Sequence, residues 1–276
     1  MPTRPSSSFI LSRRHLPVLA QFAAANVLLA FDYDGTLAPI AATPARARMR
    51  ATTRRLLTRL AKCYPCVVIS GRPLADLTRR LRQVPVWHLV GDHGYESRGE
   101  TPKSTGHVRE WAGRLRELLP ANKGLVIERK RNSITVHYRH AREKHQLVTV
   151  ITDAVRQLPG ARAINGAEAI NIIPAQGPNK GVALQQACRV FACDAALYVG
   201  DDDTDEDAFA SAAPERLLSI RVGPRRPSAA RYRLRRQADI DLLLGALLEL
   251  RSPARPSRRA VLSRAPESRR RGDQGS

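Results

Sequence analysis

An apolar run leads directly into two aspartates in the stretch VLLAFDYDGTL, residues 27–37. Ligands of a parallel sheet bind at the carboxyl ends of its strands, and both aspartates follow such a run. Extended backbone places the side chains of Asp32 and Asp34 on one side, and Gly35 permits a sharp exit. Two such carboxylates repel each other without a cation, so a hard metal such as Mg²⁺ is expected. The alternative for this motif alone is a turn or helix-capping pair.

Three further segments place polar side chains at predicted strand ends or helix starts. Ser70-Gly71-Arg72 ends a strand, Lys180 opens a helix, and the acidic run DDDTDE at 201–206 follows another strand. Each alone is also explained by helix capping, a solvated lysine or helix-terminal charges. Together, and in this order, the four segments favour a single catalytic centre at one sheet edge.

Short apolar runs alternate with helical patterns along most of the chain, which predicts an α/β fold. The core is expected to be a Rossmann-like, mostly parallel sheet covered on both faces. Its predicted strands are 27–31, 66–70, 87–90, 196–200 and 217–222. Its predicted helices are 46–62, 73–82, 180–191 and 204–212.

A different pattern occupies the middle of the chain, where two strands, a helix and two more strands follow one another. These elements are predicted at 125–129, 133–139, 141–157, 161–163 and 169–173. The order indicates a separate α+β unit. We therefore predict a core domain of residues 16–100 and 174–250 with an inserted α+β cap domain of residues 101–173. The two ends, 1–15 and 251–276, are rich in Ser, Pro and Arg without periodicity and are predicted to be disordered.

The composition is that of a globular protein, with 43% hydrophobic and 26% charged residues, but the net charge is +21. A basic surface is compatible with nucleic acid, an anionic membrane or an anionic small molecule. Only 5% of the residues are aromatic, and zinc-finger spacing or a basic region leading into heptads is not found. A solvated, Arg-rich surface is therefore the favoured interpretation of the charge, and a basic nucleic-acid-binding protein remains a remote alternative. No nucleic-acid partner is expected.

Four cysteines are few for a disulfide framework. Cys63 and Cys66 form a CxxC pair, which is compatible with a zinc or redox site. Cys66 opens an apolar strand, however, where cysteine is usually a small hydrophobic residue. We expect no metal or redox role for this pair.

The segment 16–25 after Arg13-Arg14 loosely resembles a signal peptide. Pro17 and Gln21 interrupt its apolar run, so a helix that packs on the core is the favoured interpretation. No segment reaches the roughly 18 apolar residues of a membrane span. A soluble, cytoplasmic protein without a membrane partner is expected.

The four segments resemble, in order, the motifs of the haloacid dehalogenase-like (HAD-like) phosphatases. The resemblance implies that Asp32 is the nucleophile and forms an aspartyl-phosphate, while Asp34 is the general acid and base. It implies that Ser70 and Lys180 hold the phosphoryl oxygens. It further implies Mg²⁺ bound by Asp32, the backbone carbonyl of Asp34 and Asp201, with Asp205 acting through water.

Within that superfamily, residues 16–248 are similar to the trehalose-6-phosphate phosphatases. The similarity lies in six stretches, DYDGTLAPI (32–40), SGR (70–72), HGYE (93–96), GLVIERK (124–130), VHYR (136–139) and GDDDTDEDAF (200–209). It implies a trehalose-phosphatase that acts in trehalose biosynthesis, with a functional link to trehalose-6-phosphate synthase. It also places the substrate near the residues Ser70, Gly71, Arg72 and His93.

From the cap, the same resemblance implies that Glu128 and Lys130 bind the sugar hydroxyls. Strand alternation puts both side chains on one face, although a solvated hairpin face is the alternative. The family often has Glu-x-Arg/Lys-Pro where this chain has NIIP, residues 171–174. Asn171 can still bind a hydroxyl, but it lacks the charge of Glu and is a weaker acceptor.

The spacing of the motifs indicates where a lid lies. Only 35 residues separate Asp34 from Ser70, whereas 107 separate Arg72 from Lys180 and include the inserted unit. The cap is therefore expected to close over the sheet edge and exclude water. Sucrose 6-phosphate and mannosylglycerate phosphate remain alternative substrates for the same chemistry.

Overall fold

The computed structural model describes residues 8–97, 107–119, 124–166 and 168–251. In this part of the chain the strands are β1 (Ser8–Phe9), β2 (Val27–Phe31), β3 (Cys66–Ile69), β4 (His88–Gly91), β5 (Glu96–Ser97), β6 (Val126–Arg129), β7 (Ile134–His137), β8 (Ala161–Gly166), β9 (Ala169–Pro174), β10 (Ala195–Gly200), β11 (Leu217–Val222) and β12 (Tyr232–Leu234). The helices there are α1 (Leu16–Ala24), α2 (Ala51–Leu60), α3 (Leu74–Arg80), α4 (His107–Leu118), α5 (Lys144–Arg156), α6 (Lys180–Val190), α7 (Glu206–Phe209) and α8 (Ile240–Arg251).

The larger sheet has the strand order β1-β12-β11-β10-β2-β3-β4-β5 across the described residues. Its neighbours run parallel except for β4 and β5, which are antiparallel. Every residue of β2, β3 and β11 is buried, as expected for strands covered on both faces. The predicted α/β class with a mostly parallel sheet is confirmed.

Alternation along β2 divides the apolar core into two layers. Leu29 and Phe31 point to the face covered by α1, α2 and α8, whereas Leu28 and Ala30 point to the face covered by α6 and α7. Each layer is closed by helix side chains with little or no exposure, such as Leu57 on the first face. Helices on both faces leave only the strand ends open for a site.

The smaller sheet is antiparallel, with the order β6-β7-β9-β8. One face packs on α4 and α5 in a separate apolar cluster around Trp111 and Ile151. Ile134 and Ile172 point into that cluster, so their neighbours Thr135 and Asn171 point to the opposite face. This opposite, polar face lies over the carboxyl ends of the core strands.

Several elements differ from the sequence-based predictions. Residues 8–15 were expected to be disordered, but β1 pairs with β12 and Ile10 is fully buried. A strand of two residues is too short to produce a periodic pattern. The predicted helix 46–62 begins only at Ala51, after a 3-10 turn at Pro44–Arg46, and helix 204–212 shortens to α7. Residues 1–7 and 252–276 lie outside the described residues.

The four cysteines are free, and Cys66 is a buried residue at the start of β3. Burial raises the pKa of the Cys66 thiol, which disfavours the reactive thiolate. Among the helices described, none has the length and apolar character that crossing a membrane requires.

Candidate active site

The four sequence segments meet at one edge of the larger sheet. Adjacent strands β10, β2 and β3 end next to residues 201–206, 32–37 and 70–72, respectively. Asn179 caps the start of α6 by accepting a hydrogen bond from Val182 N at 2.9 Å. This cap fixes the first turn of the helix, so Lys180 points into the same edge.

Lys180 forms the centre of a buried charge cluster. Its ammonium Nζ donates to Asp32 Oδ1 at 2.8 Å and to Asp205 Oδ1 at 2.7 Å. The three residues are 2%, 4% and 0% exposed, so water does not screen their charges. Burial by itself lowers the pKa of Lys180, but Asp205 and Asp32 outweigh it and raise that pKa. Lys180 is therefore a fixed positive charge.

The cluster carries more negative than positive charge. Burial raises the pKa of Asp32 to about 8, against the opposing effect of Lys180. Burial, Asp32 and Asp205 together raise the pKa of Asp201 well above its usual range. Carboxylate oxygens of these three aspartates lie within 4.8 Å of one another. Buried oxygen ligands that repel one another suit a hard divalent cation, so the residues present fit Mg²⁺.

Gly35 allows the acidic loop (residues 201–206) to approach the first motif. Its φ is 77°, in the left-handed region, and a Cβ there would overlap the Asp201 carboxylate. Thr36 Oγ1 donates to Asp201 Oδ1 at 3.2 Å. The glycine predicted to permit a sharp exit is thus also the residue that leaves space for Asp201.

Asp205 is occupied by hydrogen bonds on both carboxylate oxygens. Oδ1 accepts from Lys180 and from Tyr198 OH at 2.7 Å, and Oδ2 accepts from the amides of Asp201 and Asp202 at 2.9 Å. These bonds orient Lys180 and hold the start of the acidic loop. Both oxygens of Asp205 are therefore engaged beside the candidate cation site. Asp32 and Asp201 differ, because within the described part of the chain no hydrogen bond reaches Oδ2 of either residue.

Asp34 forms a bidentate ion pair with Arg72. Arg72 Nε and Nη2 donate to its two carboxylate oxygens at 2.6 Å each. The same guanidinium donates to Asp76 Oδ2 and to the carbonyl of Pro44, both at 2.7 Å, and lies over the Tyr33 ring. Arg72, predicted to bind substrate, is thus held by groups of the core.

Ser70 and His93 lie on either side of Gly71. Ser70 is 1% exposed, and its Oγ accepts from Arg72 N at 3.3 Å, which leaves the hydroxyl proton to donate. A Cβ on Gly71 would overlap the His93 ring. Among the residues that the structure describes, none is hydrogen-bonded to either buried ring nitrogen of His93. Burial, Lys130, Lys180 and Arg162 hold its pKa well below the usual range, so the ring is neutral.

The cap brings its polar face to the same edge. Lys130 Nζ donates to the carbonyl of Gly71 at 2.9 Å. Glu128 accepts from His137 at 2.8 Å, and Asn171 Oδ1 accepts from Thr135 Oγ1 at 3.0 Å. Glu128, Thr135 and Asn171 are cross-strand neighbours in register, so they form one polar row. The predicted cap residues therefore share one face above the core motifs.

Residues 30–238 match the protein-family model described as Trehalose-phosphatase. The chain belongs to the trehalose-phosphatase family. The similarity to this family inferred from the sequence is confirmed. Curated trehalose-phosphate phosphatases of Mycolicibacterium paratuberculosis and Mycobacterium avium are 35% and 34% identical in alignments of 242 residues, and each alignment covers 82% of this chain. The alignment covers 59% of each relative, so this family member spans about three fifths of their length.

Solved structures of the family agree with the fold. The C-terminal domain of the trehalose-6-phosphate phosphatase of C. albicans has a TM-score of 0.75 at 22% identity and covers 90% of this chain and 99% of its own. The trehalose-6-phosphate phosphatase of Aspergillus fumigatus has a TM-score of 0.60 at 26% identity, with 88% and 99% covered. These likenesses support the two-sheet architecture of this family member.

Two side chains that join the cap to the core, Asp92 and Arg162, were not among the site residues predicted from the sequence. Asp92 accepts from the cap through Asn132 N at 3.0 Å and Ser133 Oγ at 2.5 Å. Arg162 of the cap pairs with Asp207 of the core at 2.7 Å. The sequence contained a signal for Asp92, because this residue follows a strand and directly precedes the stretch HGYE. Arg162 carried no such signal within a generally Arg-rich chain.

Asp92 is expected to hold the cap hairpin on the core, since its carboxylate is 1% exposed and accepts both hairpin donors. Asp92→Ala should lower kcat/KM for a phosphorylated disaccharide by about 10–100-fold, because a hydrogen bond to a charged group is worth about 1.5–3 kcal/mol. Hydrolysis of p-nitrophenyl phosphate, which carries no sugar, should fall much less.

Ser133→Ala provides a matched control because it removes one of the two donors. Its loss of kcat/KM should be smaller than that of Asp92→Ala. Equal losses on the disaccharide and the aryl substrate would show instead that Asp92 supports the core site rather than the docking of the cap.

Proposed function

We propose that this protein is a Mg²⁺-dependent phosphatase that hydrolyses trehalose 6-phosphate to trehalose and phosphate. The observation that carries the proposal is the buried Lys180–Asp32 pair beside Asp201, under the polar face of the cap. Family membership supports the choice of substrate. Trehalose-6-phosphate synthase would supply that substrate and is the expected functional partner. The cytoplasmic location stays a prediction.

Asp32 is the proposed nucleophile. Lys180 Nζ holds Oδ1 at 2.8 Å, so Oδ2 is left to attack phosphorus in line and form the aspartyl-phosphate. Attack requires the ionised carboxylate, although burial raises the pKa of Asp32 to about 8. Lys180 opposes that rise. When bound by Asp32, Asp201 and the backbone carbonyl of Asp34, Mg²⁺ would supply further positive charge for the carboxylates and phosphoryl oxygens.

Asp34 is the proposed general acid and base. Asp34 lies two residues after the nucleophile, and its side chain is on the same side of the backbone. It can therefore protonate the leaving sugar oxygen and later accept a proton from the attacking water. Its bidentate pair with Arg72 holds it as an acceptor. We infer that this pair opens when the sugar binds, and that Asp34 then takes up from solvent the proton that it donates to the leaving oxygen. Ser70 Oγ and Lys180 Nζ would then donate to the phosphoryl oxygens.

The polar row of the cap is the proposed sugar-binding surface. Glu128, Lys130 and Asn171 carry the donors and acceptors that sugar hydroxyls require. His93 adds two ring nitrogens from the core, and within the described part of the chain neither is hydrogen-bonded. Closure of the cap over the phosphoryl site would exclude water from the reaction. The site thus has buried charged residues at the ends of the core strands and a row of polar side chains on the cap. A substrate made of a phosphate and a neutral disaccharide matches this arrangement.

The test is phosphate release from trehalose 6-phosphate, glucose 6-phosphate and sucrose 6-phosphate, each with Mg²⁺ and with EDTA. We expect Mg²⁺-dependent turnover with the highest kcat/KM for trehalose 6-phosphate. Preference for sucrose 6-phosphate would retain the chemistry and reject the proposed sugar. Turnover that is unchanged in EDTA would reject the metal-dependent mechanism.

A further inference from the structure

We infer that Arg221 is a positioning residue for the acidic loop, a role that rests on the proposed metal-dependent function. Arg221 lies on β11, directly behind the loop, and its side chain is 2% exposed. Its Nη2 donates to the main-chain carbonyl of Asp201 at 2.6 Å and lies 3.5 Å from Asp203 Oδ1. Its Nη1 pairs with Glu206 Oε1. One buried guanidinium thus contacts the start, the middle and the end of the loop.

The loop is held from two sides. From within the loop, Asp205 binds the amides of Asp201 and Asp202. From the neighbouring strand β11, Arg221 binds the carbonyl of Asp201, the residue whose carboxylate lies beside Asp32 at the cation site. With its amide and its carbonyl both engaged, the backbone of Asp201 has little freedom to turn. Its carboxylate therefore stays directed at Asp32.

Glu206 connects Arg221 to the chain that follows β11. Its carboxylate also accepts from Ser228 Oγ at 2.7 Å and from Ala229 N at 2.6 Å. A planar guanidinium has several donors in a fixed arrangement, whereas an ammonium is a point charge. Arg221→Lys would keep the charge without making the same set of bonds.

The two roles that Arg221 could have, positioning the loop and adding a positive charge, predict opposite effects on cation binding when the residue is replaced. A positive charge close to a cation site repels the cation, so removal of the Arg221 charge by itself should tighten Mg²⁺ binding. Loss of positioning should weaken it, because residues that orient metal ligands typically contribute 10–100-fold to metal affinity. The sign of the change therefore separates the two roles.

The experiment measures Mg²⁺ binding to the whole protein without substrate, from the rise in Tm and from calorimetric titration. Arg221→Gln and Arg221→Lys should both raise the Kd for Mg²⁺ by about 10–100-fold, with an unchanged circular dichroism spectrum. Tighter binding by Arg221→Gln, or unchanged binding by Arg221→Lys, would overturn the inference. If Arg221→Gln does not fold, the charge-preserving Lys variant carries the test alone.

Two arginines provide matched controls. Arg226 is 44% exposed and donates to the same Asp201 carbonyl at 2.9 Å, so Arg226→Gln should weaken Mg²⁺ binding less. Arg236 is 79% exposed and pairs with Asp239 outside the loop, so Arg236→Gln should leave binding unchanged. An equal change in Arg221→Gln, Arg226→Gln and Arg236→Gln would reject a specific role for Arg221. Because the readout needs no turnover, failure to hydrolyse trehalose 6-phosphate would reject the proposed substrate and leave this result standing.

Discussion

Asp32→Asn is expected to lower the rate of phosphate release by about 10⁴-fold or more, because it removes the nucleophile. The amide has the same shape, and its oxygen can still accept from Lys180 Nζ, so the fold should persist. The measurement is kcat with trehalose 6-phosphate and Mg²⁺, beside thermal unfolding followed by circular dichroism. Rapid quenching with radiolabelled substrate should trap a phosphorylated protein from the native sequence and none from the variant.

The control for Asp32→Asn is Asp153→Asn, the same chemical change on the exposed surface of α5, where Asp153 pairs with Arg156. Its activity should equal that of the native sequence, since it lies among surface charges that contribute little. Near-normal turnover by Asp32→Asn, or an equal yield of phosphorylated protein, would show that another group attacks phosphorus.

The core strands could be predicted from the sequence because they are buried on both faces. Strands were predicted at residues 27–31 and 217–222, and the structure has β2 and β11 at those bounds. Every residue of both strands is buried. Helix α8 was not predicted. Leucines occupy its buried and its exposed faces alike, with Leu242 61% exposed, so the pattern lacks a clear period.

The position of each candidate site residue was easier to predict than the group to which it is hydrogen-bonded. Parallel strands end at one edge, so Asp32, Ser70 and Asp201 had to lie close together. Partner choice depends on tertiary placement, which spacing does not encode. Arg72 binds Asp34 and Asp76, and Lys130 binds a backbone carbonyl.

Lys180→Met should remove activity and destabilise the fold together. Loss of the ammonium leaves Asp32 and Asp205 buried without their cation, which typically costs about 3–5 kcal/mol in the free energy of unfolding. The rate should fall by at least about 10²–10³-fold, because a donor to the phosphoryl oxygens is also lost. Urea unfolding in EDTA measures the stability without a contribution from Mg²⁺.

The double variant Asp32→Asn/Lys180→Met separates the charge imbalance from the loss of packing. If an unpaired carboxylate causes the instability, neutralising Asp32 should recover about 1–3 kcal/mol relative to Lys180→Met alone. Lys144→Met is the matched control, because Lys144 pairs with Glu168 at a site where both side chains are about 40% exposed. It should cost no more than about 1 kcal/mol. Equal costs for the two lysine variants, or no recovery in the double variant, would show that Lys180 stabilises the site through packing and not through its charge.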